Sequence, residues 1–274
     1  WRSLDLTESN GEKIDLVIGT KFPTYLAKHP NKVTWLVHQH RFFYDLEGGI
    51  YDKPVLSKSD IDTRKLVRKL DTDFIQESAG IYSIANTVTD RLKTFNNVDS
   101  TVLFPPSALA DKITPGSYGD YIVCVARVNS MKRQDLLVEA ATLMESDLKI
   151  KIVGKGEADY INSLQELIEV NQLESKVELI GFVDEEELLE LYGNARAVYY
   201  GPIDEDYGYA TIEGFLAKKP VLTVDDSGEV SRIVEQYDGG WITKPRAKDI
   251  ALALDGIAKL SDEELSQKVQ NGYA

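Results

Sequence analysis

The sequence holds 274 residues, of which 43% are hydrophobic and 28% charged. This length suggests one large or two ordinary domains and excludes a miniature scaffold, and the composition excludes disordered and collagen-like chains. The formal net charge of −14 disfavours general nucleic-acid binding, because an acidic molecule repels phosphate backbones. Residues 1–115 carry fifteen basic and fifteen acidic side chains, so the whole excess lies in residues 116–274 and indicates two domains of different character.

The chain has neither a run of 18 apolar residues nor a basic segment followed by a hydrophobic one at its start. We therefore predict no membrane-spanning helix and no signal peptide. The single cysteine, Cys124, lies in the apolar run 121–126 and is expected to be a buried strand residue. A lone cysteine of this kind suits a reducing compartment, so a cytoplasmic location is predicted.

The first part of the chain gives an incomplete α/β pattern. Apolar, β-branched runs predict strands at 14–18, 33–37 and 81–85, and a helix is predicted over 60–77. These strands are too few for a finished sheet. Residues 104–119 carry three of the nine prolines and read as a linker, so we predict domains at 1–115 and 116–274.

The predicted first helix contains four cations between residues 64 and 69. Together with neighbouring apolar side chains they could form a basic amphipathic face that contacts a membrane peripherally at its inner surface. The alternative is a solvated helix, since acids flank the run on both sides.

From residue 120 onward, short apolar runs alternate with amphipathic stretches, which is typical of parallel strands joined by crossover helices. The predicted strands are 121–126, 148–153, 177–180, 197–200, 221–224 and 240–243. The predicted helices are 134–144, 160–170, 185–192, 210–217, 230–235 and 250–259. Near-continuous apolar strands with helices on both faces predict a doubly wound sheet.

The stretch 201–213 leaves a strand, turns through Gly208 and opens a helix. Ligands of open α/β sheets bind at such strand ends, where the first amides of the helix attract anions. The sequence therefore predicts an anion site at the unpaired amides that follow the turn, those of Tyr209, Ala210 and Thr211. Glu205 and Glu213 could both face this cleft; the alternative is that they are solvated acids.

This stretch resembles the signature of retaining family 4 glycosyltransferases of GT-B fold, which reads Glu-Asp-Phe-Gly, then three residues, an apolar residue, Glu-Ala and soon Pro-Val. The matching words are Glu205-Asp-Tyr-Gly208, Ile212-Glu213 and Pro220-Val221. Upstream, a strand ends in Arg127 and Lys132 follows five positions later, as in the family. A histidine-glutamine-histidine-arginine phrase at residues 38–41 is similar to that of members that act on bacterial surface polysaccharides.

The resemblance implies an α/β protein with two Rossmann-like, doubly wound parallel-sheet domains, the first incomplete. The implied reaction transfers a hexose, with retention of configuration, from a UDP-, GDP- or ADP-linked sugar to a glycan or lipid-linked acceptor. No cofactor is implied. No metal is required either, because two cations at a strand end can neutralise the departing diphosphate.

The resemblance also assigns roles to residues. Arg127 and Lys132 would bind the donor diphosphate, and Glu213 would accept hydrogen bonds from the ribose. Glu205 would contact the sugar, and the turn that ends at Val183 would lie against the base. The backbone after Gly208 would support phosphate or sugar oxygens.

Two histidines end the strand predicted at 33–37. His38 and His40 would share one face if the strand continued, a spacing that also suits a metal, although no third ligand is evident. In the family a histidine at this place often approaches the transferred sugar, and we favour His38. The alternative is a packing or loop histidine.

Several alternatives stay open at this point. Family members carry roughly another hundred residues before the first strand seen here, and Ser227-Gly-Glu229 departs from their usual Ser-Gly-Gly. A nucleotide-sugar-binding module without transferase activity is therefore one alternative, and a GT-B-like epimerase or phosphorylase is another.

Overall fold

The computed structural model describes residues 1–49, 52, 56–270 and 272. The chain divides into two compact units, Trp1–Pro105 and Pro106–Ala274. Each unit contains its own parallel β-sheet.

The proline-rich segment around residue 110 belongs to the second unit. The Ser107 hydroxyl donates to the Glu213 carboxylate at 3.0 Å, and the Lys112 ammonium lies 2.7 Å from the Glu185 carboxylate. The composition of the sequence predicts a boundary near Gly116. The second unit begins earlier, at Pro106, because these contacts join residues 107–112 to it.

The first unit is built on a parallel sheet with helices in its crossovers. Its strands are β1 (Glu8–Ser9), β2 (Glu12–Lys13), β3 (Val17–Lys21), β4 (Lys32–His38), β5 (Gly80–Ser83) and β6 (Thr101–Val102). Its helices are α1 (Lys58–Gln76) and α2 (Asn86–Asn96). Strands β1 and β2 pair antiparallel, and the parallel sheet has the order β3-β4-β5-β6 within the described part of the chain.

The first predicted strand is displaced along the chain. β3 begins at Val17 rather than at residue 14, because side chains occupy the carbonyls that a longer strand would offer to its neighbour. The His29 ring bonds the Ile14 carbonyl at 2.9 Å, and the Asn31 amide donates to the Asp15 carbonyl at 2.9 Å. Helix α2 and strand β6 were not predicted, since threonine and asparagine dilute the apolar pattern in this region.

Acidic side chains pair with most of the predicted basic face of helix α1. Arg64 is buried and forms an ion pair with Asp52 at 2.6 Å. Arg68 pairs with Glu47, and Lys69 pairs with an aspartate one turn later. Acids therefore balance three of the four cations, and the peripheral membrane contact stays a prediction with little positive charge behind it. No helix in the described ranges is both long and apolar enough to cross a bilayer.

The second unit is a doubly wound sheet, as predicted. Its strands are β7 (Tyr121–Val125), β8 (Lys149–Val153), β9 (Val177–Gly181), β10 (Ala197–Tyr199), β11 (Val221–Val224) and β12 (Gly240–Thr243). Its helices are α3 (Gln134–Ala141), α4 (Ala158–Val170), α5 (Glu185–Gly193), α6 (Tyr209–Leu216), α7 (Glu229–Gln236), α8 (Ala247–Lys259) and α9 (Asp262–Val269). Among the described residues the sheet order is β9-β8-β7-β10-β11-β12, and all five neighbouring pairs of strands are parallel.

The strands of this sheet are apolar because helices cover both of its faces. Ile122 and Val123 on β7 and Val198 on β10 have no exposed surface. Cys124 is 1% exposed, and burial raises the pKa of its thiol to about 12. The prediction that Cys124 is a buried strand residue is confirmed.

Candidate functional site

The order of the second sheet reverses between β7 and β10, which pair with each other at its centre. Loops that leave these two strands run in opposite directions over the sheet, and in open α/β sheets the ligand-binding crevice lies between such loops at the carboxyl ends of the strands. Arg127 lies two residues after β7, and Lys132 ends a 3₁₀ turn in the same loop. Glu205 follows β10. The topology thus brings the residues predicted to bind the donor to one edge of one sheet.

Lys132 and Glu205 are in direct contact. The Lys132 ammonium forms an ion pair with the Glu205 carboxylate and also donates to the Tyr200 hydroxyl at 3.0 Å. Both side chains of the pair are about four-fifths buried, at 19% and 20% exposure. The contact keeps a cation and an anion together in the crevice, where each balances the charge of the other.

Tyr200 lies between the two glutamates of the predicted signature. It is buried, and this burial raises the pKa of its phenol well above the ordinary value. The charges of Glu205 and Glu213 raise that pKa further. Tyr200 is therefore a neutral phenol near both carboxylates, a position for which the sequence offered no signal.

Arg127 contributes an accessible positive charge. Its side chain is exposed, and its guanidinium makes no ion pair or hydrogen bond with any residue the structure describes. Its backbone carbonyl accepts from the Gln134 side chain at 3.1 Å, which fixes the end of the strand. The guanidinium is consequently available to an anionic ligand.

A groove of about 350 Å³ adjoins Arg127. Gly154, Lys155, Phe182 and Val183 line it from the ends of β8 and β9. Val183 is 9% exposed, whereas Phe182 is 67% exposed and has the Lys155 ammonium 4.0 Å from its ring centroid. Val183 therefore belongs to this groove as expected, but Phe182 presents the larger surface.

Helix α6 begins directly after Gly208. This glycine has φ +88°, and a Cβ atom there would lie 2.4 Å from a Val230 methyl, so the turn requires glycine. No side chain caps the helix, and the amides of Tyr209 and Ala210 precede its first possible intrahelical bond.

The third predicted amide is not unpaired. The Thr211 amide donates to the Gly208 carbonyl at 3.0 Å, because the first turn of α6 tightens to an i→i+3 bond. The Thr211 hydroxyl is buried and has no partner among the described residues. The prediction of three unpaired amides is therefore corrected to two.

Glu213 lies in the second turn of α6, where two hydroxyls orient its carboxylate. Ser107 donates to Oε1 at 3.0 Å, and Tyr192 donates to Oε2 at 2.8 Å. Tyr192 is fully buried, and its phenol has a pKa well above the ordinary value because of that burial. Glu213 is thus a positioned acceptor with lone pairs left for further donors. Its two partners were not predicted, since nothing in the sequence links residues so far apart.

The two candidate histidines lie in the first unit and do not share a strand face. β4 ends at His38, whose Nδ1 bonds the Gln39 carbonyl at 2.8 Å. His40 starts a 3₁₀ turn and stacks on Phe43 at 4.2 Å between ring centroids. The expected alternation is wrong because the chain turns after His38. Across the described ranges, no group of three histidine, cysteine, aspartate or glutamate side chains is arranged to hold a metal.

Comparison with known proteins gives one family match. The model of the glycosyl transferases group 1 family matches residues 110–273. An uncharacterised glycosyltransferase of Methanocaldococcus jannaschii is 26% identical over 150 residues, which is 55% of this chain and 38% of that protein. The O-antigen chain mannosyltransferase RfbU of Salmonella typhimurium is 28% identical over 148 residues, or 53% of this chain and 42% of RfbU. The matches thus span about two fifths of these relatives.

Solved structures show the same architecture at low sequence identity. A sucrose-phosphate synthase of Thermosynechococcus elongatus aligns with a TM-score of 0.74 at 16% identity, covering 94% of this chain and 67% of that one. Anabaena HepE in complex with UDP and glucose aligns at 0.70 and 16%, covering 89% and 66%. A variant of S. aureus TarM in complex with UDP and saccharides aligns at 0.69 and 18%, covering 92% and 48%. These likenesses confirm the predicted GT-B fold.

Proposed function

Because this chain belongs to the glycosyl transferases group 1 family, we propose that it transfers a hexose from a nucleotide-diphosphate sugar to a saccharide acceptor. The main support for the proposal is the group of charged side chains at the point where the strand order of the second sheet reverses, between β7 and β10. Lys132 and Glu205 are in contact there, Arg127 lies in the same loop as Lys132, and two hydroxyls orient Glu213. Two cations and two carboxylates suit a ligand that has a diphosphate at one end and hydroxyls at the other.

The diphosphate is proposed to bind Arg127 and Lys132. Arg127 has its guanidinium free of protein partners in the described structure, whereas Lys132 must exchange its contact with Glu205 for a phosphate oxygen. The two cations would also stabilise the charge that grows on the diphosphate as the sugar leaves. The amides of Tyr209 and Ala210 at the start of α6 would add donors and a favourable helix dipole.

The nucleoside is proposed to lie between Glu213 and the groove that contains Val183. The Glu213 carboxylate accepts two hydroxyl donors already and has the remaining capacity to accept from ribose hydroxyls. The exposed Phe182 ring offers a flat surface for a base at the rim of the groove.

The sugar is proposed to contact Glu205. Once Lys132 turns to the phosphate, this carboxylate is free to accept hydrogen bonds from sugar hydroxyls, and it lies within the crevice to do so. Glu205 and His38 are our candidates for catalytic residues, and His40 is the alternative to His38. Retention of configuration, membership of family 4 and independence of metal are parts of the same proposal.

The relatives give the proposal its substrate range. RfbU is named a mannosyltransferase of the O-antigen chain, and the aligned HepE and TarM structures contain UDP. We therefore propose UDP-, GDP- or ADP-linked hexoses as donors and a glycan or lipid-linked saccharide as acceptor. A cytoplasmic location beside the inner membrane face is compatible with such an acceptor and stays a prediction.

The test is to incubate the chain with UDP-, GDP- and ADP-hexoses and a saccharide acceptor, in buffer with EDTA, and to identify products by NMR. The proposal predicts a glycoside with the donor's anomeric configuration, and predicts that Glu205→Gln and His38→Ala each lower its rate. Consumption of donor without acceptor would instead indicate an epimerase or phosphorylase. Binding of a donor without any product would indicate a binding module.

A further inference from the structure

The segment that carries Glu205 into the crevice, residues 201–205, is here called the donor loop. Its backbone is held on two sides by neighbouring segments of the second unit. Three of its amides donate to carbonyls outside the loop: Ile203 to Met131 at 2.9 Å, Asp204 to Asp226 at 2.9 Å and Glu205 to Ser227 at 3.2 Å. Asp204 has φ +42°, a conformation that L residues seldom adopt. A loop with this geometry persists only where its surroundings over-determine it.

Arg133 adds to that constraint from the adjacent loop. Its Nε donates to the Gly201 carbonyl and its Nη2 donates to the Pro202 carbonyl, both at 2.9 Å. The same guanidinium forms a two-pronged contact with Asp226, at 2.6 and 2.9 Å. The Arg133 side chain is 13% exposed and Asp226 is 48% exposed, so the two bonds to the loop carbonyls are better shielded from water than the contact with Asp226.

The backbone of Arg133 is unusual as well. Its φ is +52°, which places an arginine in the left-handed region that glycine and asparagine prefer. Four directed hydrogen bonds from the side chain compensate for this conformation. Every nitrogen of the guanidinium is engaged by the protein, so the group is turned toward the donor loop and is not offered to a ligand.

We propose that Arg133 is a positioning residue that holds the donor loop so that Glu205 meets Lys132 and, in the reaction, the sugar. The proposal rests on the function proposed above for the role of Glu205, but the clamp itself stands on the contacts of the free protein. Arg133 joins the end of the β7 loop, the donor loop and the β11–α7 loop through one planar group. Asp226 fixes that group from the far side.

The test compares Arg133→Gly with Arg196→Ala. Glycine accepts φ +52° without strain, so the first variant removes the clamp and leaves the backbone free to keep its path. Arg196 is a matched control, because its guanidinium also binds backbone carbonyls, at residues 257, 258 and 260, but from the residue before β10 at the opposite end of the sheet.

Hydrogen exchange followed by NMR is the first readout. We expect Arg133→Gly to speed exchange of the Ile203 and Glu205 amides by about tenfold or more, and Arg196→Ala to leave these amides unchanged. Unchanged exchange in Arg133→Gly, or equal acceleration in the control, would overturn the clamp. If Arg133→Gly does not fold, Asp226→Ala removes two of the four bonds and carries the same comparison.

Steady-state transfer kinetics are the second readout. A loop displaced by about an ångström is expected to lower kcat by about 10- to 100-fold, with the affinity for the nucleoside diphosphate within about threefold of wild type. In a Glu205→Ala background, Arg133→Gly should lower kcat no further, because the two residues act through one carboxylate. Additive losses would overturn the positioning role. Absence of transfer by the wild-type chain would instead count against the proposed function, and the exchange result would still decide the clamp.

Discussion

Replacing Lys132 by methionine removes one positive charge from the crevice. Methionine keeps most of the aliphatic stem and removes the ammonium that contacts Glu205 and Tyr200. A charge-assisted contact to a phosphate contributes about 1.5–3 kcal/mol. In the free protein Lys132 already holds a partly buried ion pair worth about 1 kcal/mol, which binding must break. The net loss is then about 0.5–2 kcal/mol, or about 2- to 30-fold in Kd.

Glu205→Gln is expected to have the opposite effect on affinity, for a ligand that lacks the sugar. Its amide cannot hold the Lys132 ammonium as a carboxylate does, so the lysine is released for the phosphate. Free nucleoside diphosphate is therefore expected to bind Glu205→Gln up to about fivefold more tightly than wild type, the equivalent of about 1 kcal/mol. The increase applies to UDP, GDP or ADP alone, because the sugar contact assigned to Glu205 is then absent.

Isothermal titration calorimetry with the best-binding diphosphate measures both variants. Lys112→Met is the matched control, since it removes a lysine from an exposed ion pair with Glu185 and should leave Kd within about twofold. Equal weakening by Lys132→Met and Glu205→Gln, or no weakening by the former, would refute the competition between carboxylate and phosphate for one ammonium.

Three further outcomes are expected. Tyr192→Phe removes one of the two hydroxyl donors that orient the Glu213 carboxylate. Chemical denaturation should show that the free energy of unfolding falls by about 1–2 kcal/mol, and calorimetry should show a weaker nucleotide affinity. Unchanged affinity would contradict the claim that Tyr192 positions Glu213 for the nucleotide. Burial lowers the pKa of Lys219 to about 8, below its value in the unfolded chain, so the unfolded chain binds more protons than the folded chain between pH 8 and 10. The free energy of unfolding should therefore rise with pH in this range, by at most about 1.4 kcal/mol per pH unit. A rise that persists in Lys219→Met would show that another group causes it. In Gly208→Ala the added Cβ clashes with a valine methyl and the residue has an unfavourable φ, so urea unfolding should show that the free energy of unfolding falls by about 2 kcal/mol or more. Gly256→Ala is the control: its Cβ would lie in open space, so the substitution should be neutral or stabilising.

The second unit was predictable because its central strands β7, β10 and β11 are almost wholly buried and the remaining strands are mostly apolar. Burial makes each strand a short apolar run, and the runs at 221–224 and 240–243 match β11 and β12 residue for residue. The positions of Arg127, Lys132 and Glu205 then follow from topology, since the carboxyl ends of adjacent parallel strands meet at one edge.

The remaining features depend on contacts that sequence spacing does not encode. Tyr192 and Ser107 reach Glu213 from 21 and 106 residues away. Arg133 adopts a left-handed conformation that no residue pattern around it signals. In the first unit, side-chain bonds to the Ile14 and Asp15 carbonyls move the start of β3 to Val17, so local polar groups rather than the hydrophobic pattern set this boundary.

The measurement that tests the donor site most directly is titration of the chain with UDP, GDP, ADP and the matching monophosphates, repeated for Arg127→Ala and Glu213→Ala. Lys149→Ala serves as the control, because it breaks an exposed ion pair with Asp120 at the amino end of β8. A ligand at a hundredfold excess over its Kd should stabilise the fold by about 2.7 kcal/mol. We expect one diphosphate to bind, its monophosphate to bind more weakly, and both site variants but not the control to lose affinity. Binding of no diphosphate, or binding that survives both site variants, would contradict it.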